Sequence, residues 1–412
     1  MRSAPSSAYV HLPFCRKKCF YCDFPIAVVK KDKLNQNAEQ YVNLVIKEIK
    51  AASKEKMHNA PPLKTLYFGG GTPSLTPPSL VKKLVQEMKF TFGIDDNAEI
   101  TLEADPGTFD KEELFKFAEA GISRISLGVQ SFDEALLSAA GRAHGLDEVD
   151  RALELLRGSE IGQSFSLSID LIGGLPHQTM KSWRTSLTKA ASCGANHVSV
   201  YDLQVEPGTA FGKWYSPGSA PLPSEELAAN MFIEASSVLQ AAGFEHYEIS
   251  SYAKPGARSR HNSAYWSNSP FWAFGLGATS FTNSIRFARP RQMREYAQWV
   301  NRLEERGLAR EERESGTAEP PGELDALQTK LMLSLRTSDG VDLRDLAAEY
   351  PLGGLGQAAI CACVDMSRIH PEWMTLTGGG GRLRLSDPQG MLFSNEAISS
   401  IFAALDERLE GG

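Results

Sequence analysis

The sequence predicts an α/β fold, with a partial (β/α)6 barrel of the TIM type followed by a smaller, mainly α-helical, winged-helix-like C-terminal domain. In the first half, short apolar or β-branched runs alternate with amphipathic segments, a pattern typical of a parallel sheet. Six such units fall short of the eight that close a barrel. Three helices and a hairpin follow near the end of the chain. The 412 residues, 42% hydrophobic and 23% charged, have a globular composition for two or three domains, which excludes disordered and fibrous classes.

Six runs have the composition of buried strands: Ala8–Leu12, Thr65–Phe68, Glu99–Glu103, Arg124–Gly128, Phe165–Ile172 and His197–Leu203. Between them, apolar residues at helical spacing predict five helices: Asn37–Ala52, Ser79–Phe90, Lys111–Ala120, Asp147–Arg157 and Met180–Ser192. Pro78 and Gly121 are suitable signals for a helix start and a helix end. This order of elements predicts the barrel.

Two segments containing Pro and Gly, Ser216–Pro223 and Arg306–Gly322, divide the chain into three predicted units. Residues 1–215 form the barrel, residues 216–317 an extension, and residues 318–412 the C-terminal domain. That last unit carries 7 basic and 14 acidic residues, an excess equal to the net charge of −7 of the whole chain. Because phosphate contacts dominate affinity for DNA, we expect this unit to dock protein or act as a lid, with no nucleic-acid partner.

The cysteines and the hydropathy of the sequence indicate the cellular compartment. No run of 18 apolar residues exists, so we expect no membrane span. No apolar signal core precedes the first strand. Six cysteines are too few for a disulfide scaffold of this length, and three of them cluster within eight positions. We therefore expect a reducing compartment: the cytoplasm, or a mitochondrion or chloroplast if the N-terminus is a processed stub.

The clustered cysteines, Cys15, Cys19 and Cys22, have C-x3-C-x2-C spacing. Three thiolates at this spacing suit one face of a [4Fe–4S] cluster and leave one iron open. The basic residues 16–18 favour the thiolate forms. Two alternatives stay open at this point: a zinc site with His11 as the fourth ligand, or three free thiols.

This spacing, with an aromatic residue before the third cysteine, resembles the radical S-adenosylmethionine (SAM) enzymes. In that family SAM chelates the open iron, and one electron from the cluster cleaves it to a 5′-deoxyadenosyl radical. Further motifs resemble the branch that contains the coproporphyrinogen III dehydrogenase HemN and the haem chaperone HemW: Gly69–Pro73, Glu103–Pro106, Gly128–Phe132, Gly141–His144 and Asp170–Pro176. Each motif lies at or just beyond the carboxyl end of a predicted parallel strand, where barrel active sites are built.

The resemblance implies SAM-binding roles for several residues. Gly70, Gly71 and Thr72 would contact SAM near its amino group, and Glu103 would bind that amino group or the ribose. Asp170 would bind the ribose, and Gln130 and Arg142 the carboxylate and adenosine. Tyr9 and Tyr21 would pack on SAM. Taken alone, these residues are equally typical of turns, helix caps, surface ion pairs and core aromatics.

A second group begins with His261, in the sequence His-Asn-Ser-Ala-Tyr-Trp. Six aromatic residues lie within 17 positions here. Aromatic side chains and a histidine iron ligand suit haem, and Arg258, Arg260 and Arg286 are candidates for its propionates. The alternative is an interface core with a hydrogen-bonded histidine. His-Asn-x-x-Tyr-Trp resembles the signature that separates HemW from HemN.

Two departures from HemN favour the chaperone. HemN has a fourth cysteine two positions after the third, where this chain has Phe24, and a longer segment before the cysteines, where this chain has 14 residues. The leading hypothesis is a haem chaperone with a [4Fe–4S] cluster, SAM and haem. Its partners would be a reduced flavodoxin or ferredoxin-type electron donor and a haem-accepting protein such as a respiratory enzyme.

Two other functions stay open. One is radical decarboxylation of coproporphyrinogen III propionates to vinyl groups. The other is an interaction protein that retains an inactive radical SAM core. The sequence does not decide whether SAM is cleaved or whether the chain forms a homodimer. Cys193, Cys361 and Cys363 are expected to be inert thiols.

Overall fold

The computed structural model describes residues 4–55, 60–308, 321–350 and 354–410. Within this part of the chain, the central feature is an eleven-stranded sheet with the order β13-β12-β11-β1-β4-β5-β6-β7-β8-β10-β9. Its strands are β1 (Ser7–Leu12), β4 (Leu63–Gly70), β5 (Ile94–Ala104), β6 (Arg124–Gln130), β7 (Ser166–Gly173), β8 (His197–Asp202), β9 (Glu245–Glu248), β10 (Ser251–Ala253), β11 (Phe271–Phe274), β12 (Thr279–Thr282) and β13 (Ile285–Ala288). A separate short pair joins β2 (Phe14–Cys15) to β3 (Ala27–Val28).

Six parallel strands confirm the six predicted ones. Strands β1, β4, β5, β6, β7 and β8 pair in parallel in this order. Strand β11 adds a parallel neighbour on the free side of β1, and antiparallel strands extend both edges. The outer strands β13 and β9 do not pair with each other within the described residues, so the sheet stays open. The predicted partial barrel is confirmed.

Helices cover the sheet: α1 (Lys31–Ala52), α2 (Pro78–Phe92), α3 (Lys111–Glu119), α4 (Glu134–Ala139), α5 (Leu146–Gly158), α6 (Glu160–Gln163), α7 (Met180–Ser192), α8 (Ala210–Trp214), α9 (Glu225–Ala241), α10 (Arg260–Trp266) and α11 (Met293–Arg306). Helix α1 begins at Lys31. The sequence predicts its start at Asn37, because the buried apolar face of the helix starts only at Ala38. The short helices α4 and α8 were not predicted, since neither is long enough to show a helical period.

The C-terminal region has its own buried core, formed by residues between Leu327 and Leu405. It contains α12 (Glu323–Leu335), β14 (Val341–Asp342), α13 (Leu343–Glu349), α14 (Leu355–Ile369), the hairpin of β15 (Met374–Thr377) and β16 (Arg382–Leu385), α15 (Gln389–Leu392) and α16 (Ser394–Glu410). Three helices followed by a hairpin and a last helix confirm the predicted order. The boundary predicted at 317/318, and most of the predicted linker 306–322, lie outside the described residues.

The predicted extension contributes to the sheet itself, because β9 and β10 join one edge and β11–β13 the other. Its division from the barrel near residue 216 stays a prediction. The parallel strands are fully buried at positions such as Val10, Phe68 and Leu102. None of the helices in the described part of the chain has the length and hydropathy needed to cross a bilayer. The carboxyl ends of the parallel strands remain open, and the candidate site lies there.

Candidate functional site

The thiol cavity, of about 460 Å³, lies at the carboxyl ends of the parallel strands. It brings together most of the predicted residues: Cys15, Cys19, Tyr21, Cys22, Gly70, Gly71, Thr72, Glu103, Gln130, Arg142 and Asp170. Tyr9 and His261 do not line it. The motifs therefore converge on one place, as expected for loops that follow parallel strands.

The three cysteines of this cavity are unpaired and partly or wholly buried. The short β2–β3 pair fixes Cys15, and the amide of Cys22 donates to the carbonyl oxygen of Cys19 at 3.3 Å. Burial raises the pKa of the Cys15 thiol to about 12 and also raises the pKa of Cys22. A bound metal offsets this cost, because coordination deprotonates a thiol outright.

The geometry argues against a zinc site completed by His11. No three His, Cys, Asp or Glu side chains in the described part of the chain lie close enough to share one metal ion. His11, the candidate fourth zinc ligand, donates from Nε2 to the carbonyl oxygen of Pro25 at 2.9 Å, and its Nδ1 lies 3.1 Å from the Tyr9 hydroxyl. An iron–sulfur cluster needs no shared ion, because each thiolate binds a different iron.

Arg142 organises the inner wall of the thiol cavity. Its Nη1 donates to Cys19 Sγ at 3.3 Å and to the Tyr21 hydroxyl at 3.1 Å. Its Nη2 donates to Asp105 Oδ1 at 2.5 Å and to the carbonyl oxygen of Gly128 at 2.9 Å. Asp105 also accepts from the Thr72 hydroxyl at 3.3 Å. The geometry therefore shows Arg142 holding a cysteine sulfur, and its predicted contact with SAM stays a prediction.

Asp105 was not predicted as a site residue. Its signal was present, since it lies in the motif Glu103–Pro106, two positions after Glu103 on the same side of a strand end. Only the fold brings the Arg142 guanidinium to it, across 37 positions.

The glycine turn after β4 can be built only without side chains. Gly70 has φ of +117°, and a Cβ there would lie 2.4 Å from the His11 ring. A Cβ on Gly71 would lie 2.7 Å from the backbone of Pro13. The amides of Gly70, Gly71 and Thr72 all donate within the protein. These three amides are therefore not available as donors to a ligand, and the predicted contacts of Gly70, Gly71 and Thr72 with SAM stay predictions.

Two carboxyl groups face the same cavity, the half-buried Glu103 and the buried Asp170. Burial raises the pKa of Glu103 to about 7, although the Tyr67 hydroxyl and the Gly70 amide donate to it at 2.8 and 2.9 Å. Burial likewise raises the pKa of Asp170 to about 6, and the Ser126 hydroxyl donates to it at 3.0 Å. Carboxyl groups placed in this way suit a ligand that carries an amino group and hydroxyls.

Gln130 has a strained backbone and, within the described part of the chain, an unpaired side-chain oxygen, two features typical of a ligand-binding residue. It has φ of +66°, a left-handed conformation that costs a non-glycine residue free energy. Its buried Oε1 has no hydrogen-bond partner among the described residues. A strained backbone and an unpaired buried acceptor at a cavity wall agree with the predicted contact to a ligand.

The aromatic cavity, of about 750 Å³, lies beside the thiol cavity and shares Phe24, Gly70, Glu103 and Tyr201 with it. Its other walls include Tyr9, His11, Tyr67, Glu248, His261, Tyr265, Trp266, Phe271, Arg286 and Arg291. The structure thus places Tyr9 in this cavity and not beside the thiols. Its neighbour on the same strand face, His11, lies there too, as the two-residue period of a strand requires.

His261 lies in α10 and is 1% exposed. Its Nδ1 is 2.8 Å from the Thr65 hydroxyl, and its Nε2 is 2.8 Å from the Tyr265 hydroxyl. Burial lowers the pKa of His261 to about 3, so the ring is neutral, as a metal ligand must be. Both nitrogens are engaged, and iron ligation through Nε2 requires the Tyr265 hydroxyl to move.

The arginines predicted for propionates divide into two groups. Arg258 binds Asp339 and Glu245, and Arg260 donates to the carbonyl oxygen of Asn97 at 2.6 Å; neither lines the cavity. Arg286 does line it, with its guanidinium 4.9 Å from the Phe281 ring centre. Arg291, which was not predicted, lines it as well and donates to the carbonyl oxygen of Asp23 at 2.8 Å. No local motif marks Arg291, because only the fold brings it to the cysteine loop.

Comparison with known proteins agrees with this geometry. Residues 9–190 match the family described as the radical SAM superfamily. Over 98% of this chain and 98% of the relative, the sequence is 39% identical to the haem chaperone HemW of Synechocystis sp.. The chain belongs to the HemW family. HemW of Bacillus subtilis is 34% identical over 97% of this chain and its own whole length.

A more distant relative of this HemW-family chain is the bovine radical S-adenosyl methionine domain-containing protein 1, mitochondrial. It is 31% identical over 82% of the chain and 75% of the relative. The solved structure of HemN from Escherichia coli has the same fold, with a TM-score of 0.79 over 99% of this chain and 91% of HemN at 21% identity. Members of the radical SAM superfamily bind a [4Fe–4S] cluster and SAM, and the thiol cavity has the groups that both need.

Proposed function

We propose that the protein is a haem chaperone, which binds haem in the aromatic cavity and delivers it to haem-dependent enzymes. The observation that carries this proposal is the aromatic cavity itself, which lies beside the thiol cavity and has the size of a small-molecule site. Its aromatic walls suit the faces of a porphyrin. Arg286 and Arg291 suit the propionates, because guanidinium groups bind carboxylates in a bidentate fork. The haem chaperones among its relatives support the same conclusion.

In this proposal the thiol cavity serves the cluster and SAM. Cys15, Cys19 and Cys22 would hold the cluster, and the cluster would supply one electron for reductive cleavage of SAM. Glu103 would accept a hydrogen bond from the ammonium group of SAM, and Asp170 would accept from its ribose hydroxyls. Arg142 holds Cys19 in place through Nη1. These residues serve haem loading or transfer.

His261 is the proposed iron ligand, through Nε2. The test is an anaerobic haem titration followed by absorption, comparing His261→Ala with His370→Ala, a control on the C-terminal region. We expect His261→Ala to weaken haem binding by about tenfold or more, because a metal–ligand bond is lost while aromatic contacts remain. Circular dichroism verifies the fold of each variant. Unchanged haem affinity in His261→Ala would remove this residue from the proposal.

One observation favours a second candidate, oxidative decarboxylation of coproporphyrinogen III propionates to vinyl groups with release of carbon dioxide. The two cavities share a wall, so a tetrapyrrole in the aromatic cavity would lie next to SAM in the thiol cavity. Phe24, in place of a fourth cysteine, argues against this reaction. Anaerobic incubation with SAM, reductant and coproporphyrinogen III separates the candidates. We expect no release of carbon dioxide. Stoichiometric release of carbon dioxide together with 5′-deoxyadenosine would show that the protein is the decarboxylase and not the chaperone.

Partners and compartment follow from the same proposal. We infer a reduced flavodoxin or ferredoxin-type protein as electron donor and a haem-dependent respiratory enzyme as recipient. The six unpaired cysteines support a reducing compartment, the cytoplasm or an organelle. Haem transfer from the loaded protein to an apo-respiratory enzyme, followed by the gain of that enzyme's activity, tests the recipient.

A further inference from the structure

A third cavity, of about 390 Å³, also reaches Cys19. We call it the lysine cleft. It is lined by Lys18, Cys19, Phe20, Gly208, Thr209, Ala210, Lys213 and Trp214. Cys19 belongs to both this cleft and the thiol cavity. A predicted cluster ligand is therefore reachable from outside without passing through the SAM site.

The cleft is a fixed feature of the fold. The amide of Phe20 donates to the carbonyl oxygen of Ala140 at 3.1 Å, and the amide of Phe211 donates to the carbonyl oxygen of Phe20 at 2.9 Å. These two bonds tie the segment after Cys19 to α4 and α8. The Phe20 ring packs edge-on against Trp214, with ring centres 4.9 Å apart. Trp214 is nevertheless 55% exposed, an unusual position for so large an apolar side chain.

The charge around the cleft is opposite to that of the molecule. Lys18 and Lys213 line it, whereas the nearby Lys17 lines the thiol cavity and Arg16 donates to the carbonyl oxygens of Pro106 and Gly107. None of the residues that line it carries a carboxylate, and the side chain of nearby Glu206 lines the thiol cavity instead. The whole chain has a net charge of −7. An acidic partner is repelled by the molecule as a whole and attracted at this face, which orients its approach.

We propose that the lysine cleft is the docking surface of a small acidic electron-transfer protein. The reduced donor gives up one electron, the cluster gains that electron, and no bond forms or breaks. Phe20 and Trp214 supply an apolar centre, and the lysines form the charged rim that steers association. A small interface of this kind is typical of transient redox partners. This inference rests on the proposed function, because it assumes a cluster on Cys19.

The test uses two acidic probes, a flavodoxin and a [2Fe–2S] ferredoxin. Calorimetry measures their binding to the full chain without cluster, at low and at physiological ionic strength. Stopped-flow absorption then measures reduction of the reconstituted cluster by each reduced probe. The variant is Lys18→Glu/Lys213→Glu. Its matched control is Lys82→Glu/Lys89→Glu, the same charge change at exposed positions on α2.

We expect the cleft variant to slow association by about tenfold or more at low salt, with a smaller effect at physiological salt. The control should stay within about twofold of the unchanged protein, because it has the same net charge. Trp214→Ala keeps the charges but removes the apolar centre, so it should also weaken binding and raise the dissociation constant of the probes. If Lys18→Glu lowers the iron and sulfide content, Lys213→Glu/Trp214→Ala replaces the cleft variant.

Equal association rates in the cleft variant and the control overturn the docking surface, as does failure of both probes to bind the unchanged chain. Binding of one probe alone identifies the donor class. Failure of the unchanged chain to assemble a cluster would instead contradict the proposed function. Iron and sulfide content, measured first on every preparation, separates these two failures.

Discussion

The thiol cavity and the aromatic cavity share a wall but differ in construction. In the thiol cavity the charged groups are held by partners inside the protein, as Arg142 is by Asp105 and Gly128, and the buried Gln130 Oε1 is left without a partner among the described residues. In the aromatic cavity, Arg286 contacts a ring and Arg291 a backbone carbonyl, so neither is paired with a carboxylate among the described residues. The first cavity is therefore preorganised for resident cofactors. The second keeps its charges available for an anionic ligand that must enter and leave.

The largest expected effect separates the two cavities. Cys19→Ser should abolish the cluster, because a serine hydroxyl does not replace a thiolate ligand of iron, while haem affinity should change by about twofold or less. Iron and sulfide analysis and a haem titration measure the two sites. Cys361→Ser, a partly exposed thiol on α14, is the control and should change neither. Loss of haem binding together with the cluster would show that the cavities act as one site.

A change at the shared wall should damage both cavities. Gly70→Ala places a Cβ against the His11 ring and strains a backbone with φ of +117°. Gly256→Ala is the matched control, since Gly256 has φ of +80° and nothing within 4 Å of an added Cβ. Urea unfolding, SAM titration and haem titration measure the effects.

We expect the control to lose about 1–2 kcal/mol of unfolding free energy from the left-handed backbone alone. Gly70→Ala should lose more, bind no detectable SAM, and bind haem more weakly because His11 is displaced. Equal losses in the two variants would mean that the glycine turn does not couple the cavities.

The affinity for SAM should depend on pH, whereas the affinity for haem should not. Glu103 has a pKa raised to about 7, so it is neutral below that pH and a carboxylate above it. SAM affinity should therefore rise about fivefold to tenfold between pH 6 and 7.5, and fall again once the ammonium group of SAM deprotonates near pH 8. Glu103→Gln should leave only a weaker step near pH 6 from Asp170. Calorimetry across this range decides, and an unchanged pH profile in Glu103→Gln would exclude Glu103 as the ammonium acceptor.

The smallest expected effect is a gain in haem affinity. The Tyr265 hydroxyl forms a hydrogen bond with His261 Nε2, so haem iron would have to displace the hydroxyl before it could bind this nitrogen. Tyr265→Phe removes this competing hydrogen bond, worth about 1 kcal/mol, and should tighten haem binding about fivefold. A haem titration of Tyr265→Phe measures the gain, and Tyr215→Phe serves as a hydroxyl control outside the cavity. Weaker haem binding in Tyr265→Phe would indicate that the hydroxyl contacts haem itself.

The two cavities also differ in how far the sequence predicts them. Cys15, Gly70, Glu103 and Asp170 lie in short motifs at strand ends, and parallel strands bring such ends together, so the thiol cavity follows from sequence order. Tyr9 is predicted to pack on SAM because it flanks the cysteines in sequence, and the structure places it in the wall of the aromatic cavity, on the same strand face as His11.

Arg291 could not be found from the sequence at all. It follows β13, whose place at the far edge of the sheet depends on the pairing of β11 with β1, and no local pattern encodes that pairing. Arg258 and Arg260 are close to His261 in sequence but lie outside the cavity, because Arg258 binds Asp339 and Glu245 and Arg260 binds the carbonyl oxygen of Asn97.

The most direct test of the account is a haem titration of Arg286→Gln/Arg291→Gln beside Arg258→Gln/Arg260→Gln. All four residues are arginines of the same region, and only the first pair lines the aromatic cavity. The account predicts that the first pair weakens haem binding by about tenfold or more, because two charge-assisted bonds to propionates are lost, and that the second pair leaves it unchanged. Equal affinity in both double variants would contradict the claim that haem binds in the aromatic cavity.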